Sequence, residues 1–367
     1  MADGDVGTAV IAERLLQVID EGRRTATYKL ALLLALIDAC AANADPTGRA
    51  PAELHTREIA RHVLRRYLPH VRGYLAFDAS DPIVLRQITT RNSAVLGAVL
   101  RLHLVGQEYG HRDFRGLETA HPTEFARCLD EVEKTFARYP VRLLQVVGSE
   151  YRPFLYDIDW SEHVSLASLH AAGGGLVQFR PGASDELVRL APLVRPLIEL
   201  HWVRMVAAIN ELDVEGERLR GHLFGVDRTG FPPGVRSGLR ELQDGCCFYC
   251  GARLTNRSEI DHFVPWSRWP NDAIENLVLA DACNNHKRDH LAASEHAAHW
   301  GSRLRRSSGD LAAVAHANSW PSEPARSLSI GRATYFHLPA GTPLWRHSGE
   351  FVDEDPQAIA LELDPAG

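Results

Sequence analysis

Apolar residues recur at helical spacing over most of the first two thirds of the chain. "AERLLQVIDEG" carries its apolar side chains on one face and reaches a stop signal at Gly22. "TATYKLALLLALIDACAANADPTG" is apolar on nearly every side, the mark of a helix buried all round, and closes in the turn-rich "NADPTG". In "LHTREIARHVLRRYLPHVRGY", Ile59, Val63 and Tyr67 share one helical face, while Arg57, Arg61 and Arg65 recur every four residues on the other side. Residues 57–72 hold five arginines and one acid. That face predicts either a solvated surface or one that lies along a phosphate backbone. The spacing fails between 111 and 175, where "GGGLVQFRPG" predicts a strand between turns. It returns from Asp185 to Glu211, with Pro192 and Pro196 expected to break the helix. "FPPGVRSGLRELQDG" predicts a short helix from near Pro233 to Gly245.

After Gly245 the pattern changes. Cys247 and Cys250 stand two residues apart with Gly251 behind them, a tight turn that forms half of a zinc-type site. "EIDHFV" is an apolar strand with Asp261 and His262 set into it. The polar and aromatic loop "PWSRWPNDAIE" leads to Asn276 and a second apolar run, "LVLA". The chain is then predicted to enter a helix with "CNNHKRDHLAASEHAAHWGSRLRR". The expected architecture is α+β: a mainly α-helical region over 1–235, a small mixed domain over 236–306, and a C-terminal extension over 307–367 with strand and turn signals but no motif.

Composition narrows the setting. The formal charge of −7 supplies no global basic field, so a nucleic-acid partner must be held by local patches. Almost every cation is arginine, Lys29, Lys134 and Lys287 being the only lysines. Four of the six cysteines fall in one short region, unlike a secreted disulfide scaffold. Cys40 and Cys128 read as buried, inert thiols. The N-terminal stretch lacks the features of a signal peptide, and the apolar run Leu30 to Ile37 is far shorter than the roughly 20 residues that span a bilayer. The expectation is a cytoplasmic protein without membrane contact.

Each polar feature has a bland reading when taken singly: Asp261-His262 as a structural pair, Asn276 as a turn residue, "CNNHK" as a polar helix start. In this order and beside a Cys-x-x-Cys, they resemble the HNH endonuclease family, the ββα-metal nucleases. The matching residues are Asp261-His262, Asn276 before "LVLA", and Cys283-Asn284 with Lys287. The flanking "CCFYCG", "DHFVPWSR" and "NLVLADACN" look like members from bacterial restriction and defence settings. "YKLALLLALID" and "REIARHVLRRYLPHV" look more weakly like the helical region that some members carry.

The resemblance implies a metal-dependent endonuclease acting on DNA. It makes His262 the general base, a role suited to imidazole chemistry near neutral pH. It makes Asp261 and Asn284 oxygen ligands of Mg²⁺ or Mn²⁺, with His286 a rival to Asn284. Asn276 would fix the orientation of His262 through a hydrogen bond. Lys287 would neutralise phosphate or hold Asp261, and Arg268 would bind a flanking phosphate. Cys247, Cys250 and Cys283 match a structural zinc site whose usual fourth position is Ala280 here. Cys246, Asp281, His286 and His290 are the candidates for that place; the alternative is a zinc-free site of packed cysteines. Arg303, Arg305 and Arg306 at the end of the last predicted helix, with Arg57, Arg61 and Arg65, are candidate backbone contacts, or cations placed to suit a helix C-terminus. One centre nicks one strand, so double-strand cutting needs a homodimer or repeated attack. Nothing in the sequence explains how a host is spared, which leaves room for a regulatory partner. The rival readings are an enzyme that acts on RNA or a small molecule, and a non-catalytic nucleic-acid-binding protein.

Overall fold

A computed structural model describes residues 7–20, 25–76, 80–90, 93–111, 113–147, 150–212, 216–225, 230–284 and 286–363. They sort into two units, Met1–Cys40 with Ala52–Asp227, and Ala41–Pro51 with Arg228–Gly367. Helices predominate over small antiparallel sheets, an α+β chain. No helix among the described residues is long and apolar enough to cross a membrane.

In the first unit the all-round apolar helix is Tyr28–Ala42, in which every residue from Leu30 to Ala41 is buried. Asp38 survives in that interior because Arg66 and Arg195 both bond its carboxylate; a buried charge needs such partners. The amphipathic helix Thr8–Asp20 buries Ile11, Leu15, Val18 and Ile19. Its expected stop at Gly22 lies outside the described residues. Leu176–Phe179 forms the expected strand and runs between Glu53–His55 and Tyr156–Asp157, antiparallel to both.

Two expectations change here. The helix Ala183–Asn210 runs unbroken through Pro192 and Pro196. Both prolines sit on its more exposed side, where water can serve the carbonyls they leave without a donor, while Leu187, Ala191, Val194, Ile198 and Trp202 carry the buried face through. The unpatterned region holds the helix Pro122–Arg138, which buries Phe125, Cys128, Leu129, Val132 and Phe136. Those residues have ordinary helical spacing behind an N-terminal proline.

The basic helix Thr56–Tyr67 buries Ile59, Val63 and Tyr67 as its pattern predicts. Its arginines, however, serve the unit's own packing. Arg57 pairs with Asp130 and with fully buried Glu133, Arg61 pairs through two bonds with Glu118, and Arg65 lies over the Phe114 ring at 4.3 Å. The acids that neutralise this face come from residues 114–138, the stretch whose pattern predicted no partner.

In the second unit, strands Glu259–His262 and Leu277–Ala280 pair antiparallel, with Asp261 opposite Val278 and His262 opposite Leu277. The Cys-x-x-Cys knuckle follows the helix Pro233–Leu242 and docks on this pair through Phe248 N, which donates to Leu279 O. Gly251 closes the knuckle at φ 68°, a conformation that favours glycine. The predicted helix does not start at "CNNHK". Ala282–Asn284 is a single 3₁₀ turn, and Arg288 takes a left-handed φ of 41°. Leu291 and Ala293 then bond the two sides of Trp345 in an extended run. The α-helix begins only at Ser294 and ends at Arg306, where Trp300 stacks on Phe263 at 4.7 Å. Helices Ser308–Ala317, Pro324–Phe336 and Pro356–Glu362 and the hairpin Leu344–His347 with Glu350–Val352 complete the unit.

Candidate active site

Adjacent strand residues look to opposite sides, and Asp261 and His262 take separate partners. Asp261 Oδ2 accepts from Tyr249 OH at 2.6 Å and from Lys287 Nζ at 2.9 Å; Oδ1 takes neither. Lys287 is 1% exposed and also donates to His262 O at 2.7 Å. Burial draws its ammonium below the ordinary lysine range, against the pull of Asp261. Tyr249 is held well above the usual phenol value, first by burial and then by the Asp261 charge, so it stays a donor. The turn that stands in place of the predicted helix, closed by Lys287 N donating to Asn284 O, is what carries Lys287 inward.

His262 Nε2 meets Asp272 Oδ1 at 2.7 Å. With the carboxylate ionised, Nε2 carries the proton and donates, which leaves Nδ1 as the acceptor in the neutral ring. Asn276 makes no side-chain hydrogen bond to His262, where a direct bond was expected. Its side chain accepts from Val264 N at 2.8 Å and donates to Val264 O at 3.0 Å and Asn271 O at 2.9 Å. Asn276 thus joins the two ends of the loop between His262 and Asp272, and fixes the pair through the backbone. The loop is braced further by Trp320 Nε1, which donates to Asp272 O, and by Asn271 Nδ2, which donates to Ser327 Oγ.

Asn284 ends the 3₁₀ turn, and its carbonyl accepts from Lys287 N at 2.8 Å. The oxygen donors of Asp261 and Asn284 suit a Mg²⁺ or Mn²⁺ ion that keeps several waters. Lys287 already offsets part of the Asp261 charge. His286 is exposed on the same turn. Arg268 Nε donates to Asp289 O at 3.2 Å. Arg303 is buried and donates to Leu277 O and Glu275 O, and burial pulls its guanidinium down to about 10. It therefore clamps the second strand and is not a backbone contact; Arg305 and Arg306 stand exposed beyond it.

The Sγ atoms of Cys247, Cys250 and Cys283 all lie within 4.8 Å of one another. Zn–S bonds of about 2.3 Å at tetrahedral angles put sulfurs roughly 3.8 Å apart, so the cluster fits zinc. Cys247 and Cys283 are 3.3 Å apart, and the hydrogen bond from Cys283 pulls the Cys247 thiol down to about 5, the thiolate a metal takes. Among the described residues, no His, Cys, Asp or Glu supplies a fourth ligand to the cluster. Asp281 Oδ1 bonds Thr255 and Ala282 N, Cys246 Sγ bonds Asp244 O, and the His290 ring lies against Phe351.

Asp272 and Tyr249 are the site residues the sequence reading missed. Asp272 sits in a polar loop with no motif around it, whereas Tyr249 was visible as an aromatic between the two knuckle cysteines.

A family model described as HNH endonuclease matches residues 247–293. A second, described as a domain of unknown function (DUF8808), matches residues 8–223. No curated protein and no solved structure matches the chain.

Proposed function

The chain belongs to the family of the domain of unknown function DUF8808 and joins it to an HNH nuclease domain, and we propose that it is a metal-dependent endonuclease that hydrolyses DNA phosphodiester bonds. The observation that carries this reading is the Asp272–His262 hydrogen bond on the strand that also bears Asp261. His262 Nδ1 takes a proton from water as the water oxygen attacks phosphorus. The Nε2 proton stays on the ring and strengthens its bond to Asp272 as the imidazolium forms. The P–O3′ bond breaks and the departing oxygen takes up a proton, which leaves a 3′-hydroxyl and a 5′-phosphate. Asp261 and Asn284 would hold a divalent ion, Mg²⁺ or Mn²⁺, which would stabilise negative charge on the phosphate oxygens and the leaving group. Lys287 and Tyr249 hold the Asp261 carboxylate in place. Cys247, Cys250 and Cys283 would hold a structural zinc, tying the knuckle to the 3₁₀ turn Ala282–Asn284.

One centre makes a nick. Restriction or anti-phage defence in a bacterial cytoplasm is the setting we infer, on the motif likeness alone. Plasmid relaxation tests the activity: supercoiled DNA should be nicked with Mg²⁺ or Mn²⁺, and not with EDTA or in His262→Ala. Equal relaxation by His262→Ala would sink the assignment of the base.

A further inference from the structure

Two aromatic rings flank His262, and a third packs behind them. Trp266 lies 5.5 Å from the imidazole and Phe231 lies 6.1 Å from it, while Trp320 packs on Phe231 at 5.5 Å. All three are half-buried. The same unit buries its other three tryptophans, Trp269, Trp300 and Trp345, in its core, so Trp266 and Trp320 are the two indoles left half-buried there among the described residues. Lys287 is engaged with Asp261 and His262 O, while Arg268 spends only its Nε, on Asp289 O. A cluster of partly exposed aromatic rings beside the imidazole favours contact with bases, which stack on such rings. A base inside a duplex is already stacked on both faces and offers an aromatic side chain none.

We infer that the strand cut at His262 is unpaired beside the scissile phosphate, and that Trp266, Phe231 and Trp320 form the surface on which its flanking bases stack. The inference rests on the nuclease reading and names the substrate class of that site. Trp266 sets the preference most directly, since it is nearest to the imidazole, and Trp320 holds the surface in place through its bond to Asp272 O.

The test compares one labelled DNA sequence in three forms, single-stranded, fully paired, and paired around a central bubble, cut by the full chain with Mn²⁺. Single-stranded and bubble DNA should be cut at least about tenfold faster than the duplex. In a His262→Ala background, fluorescence anisotropy should show preferential binding of the single strand. Trp266→Leu should weaken that binding by about five- to a hundredfold, the usual worth of one stacked base. Trp266→Phe, which keeps a π-face, should stay within about threefold, so a general loss of folding is not mistaken for loss of stacking. Equal cutting of all three DNAs, or binding that Trp266→Leu leaves unchanged, overturns the inference and leaves the nuclease standing. Preferential binding of the single strand with no cutting of any form defeats the nuclease reading and keeps the stacking surface; no cutting and no preference defeats both.

Discussion

Replacing Asp272 by Asn tests the geometry at His262 with almost no change of shape. The carboxylate can only accept, so it holds the proton on Nε2 and keeps Nδ1 open. An amide can turn its NH₂ towards Nε2 instead, which favours the ring form protonated at Nδ1, the nitrogen that must take the water's proton. A hydrogen bond to a charged group is worth about 1.5–3 kcal/mol. Losing that support as the imidazolium forms predicts a fall in the single-turnover rate of roughly 10- to 150-fold. The tautomer effect adds to this, and the same exchange in another carboxylate–histidine pair costs about 10⁴-fold. Asp272→Asn should therefore cut at least about tenfold more slowly under single-turnover conditions, with DNA affinity and melting temperature near wild type. The pH–rate profile should change with it, since the group that takes the proton has lost its partner; a residue that only packed the loop would leave the profile alone. A rate within about threefold of wild type, with an unchanged profile, would falsify the role given to Asp272.

Three further outcomes follow from the same contacts. Lys287→Met leaves the half-buried Asp261 carboxylate with Tyr249 OH alone and should destabilise the nuclease unit by about 1–3 kcal/mol in denaturant unfolding; adding Asp261→Asn should recover part of the loss, and strict additivity would show that the pair is not coupled. Burial pushes His70 down to about 3. Its folded form then stays unprotonated where the unfolded chain binds a proton, so stability is lost as pH falls from about 6.5 towards 3, by at most about 1.4 kcal/mol per pH unit. His70→Phe should flatten that arm when midpoints at pH 7 and pH 5 are compared. Metal analysis of protein purified without added metal should find about one zinc per chain, lost in Cys250→Ser along with several degrees of melting temperature; a zinc-free wild type of equal stability would mean that the cysteines only pack.

The elements legible in the sequence were those whose partners are generic. Tyr28–Ala42 is apolar on every side, and any core will bury it. Leu277–Ala280 is a short apolar run buried at each residue. Where the outcome depended on one particular partner, the pattern alone misled. The arginine face at 57–65 reads as solvated or phosphate-facing until Glu118, Asp130 and Glu133 are placed against it. Arg303 reads as the basic end of a helix until it is found reaching the carbonyls of 275 and 277.

The same distinction separates the parts of the site. Asp261, His262, Asn276 and Lys287 stand at strand ends and turns whose order along the chain is itself a signal. Asp272 belongs with them because Asn276 ties Val264 to Asn271 and so closes the intervening loop until Asp272 meets the imidazole. That bond is a product of loop closure, and no local pattern encodes it. The bonds of Asn276 lie one step further back than its motif suggests: they set where Asp272 stands, and Asp272 meets the imidazole. Asn276→Ala should then lower the cutting rate and Asp272→Asn should lower it little further, whereas independent roles would make the two losses multiply.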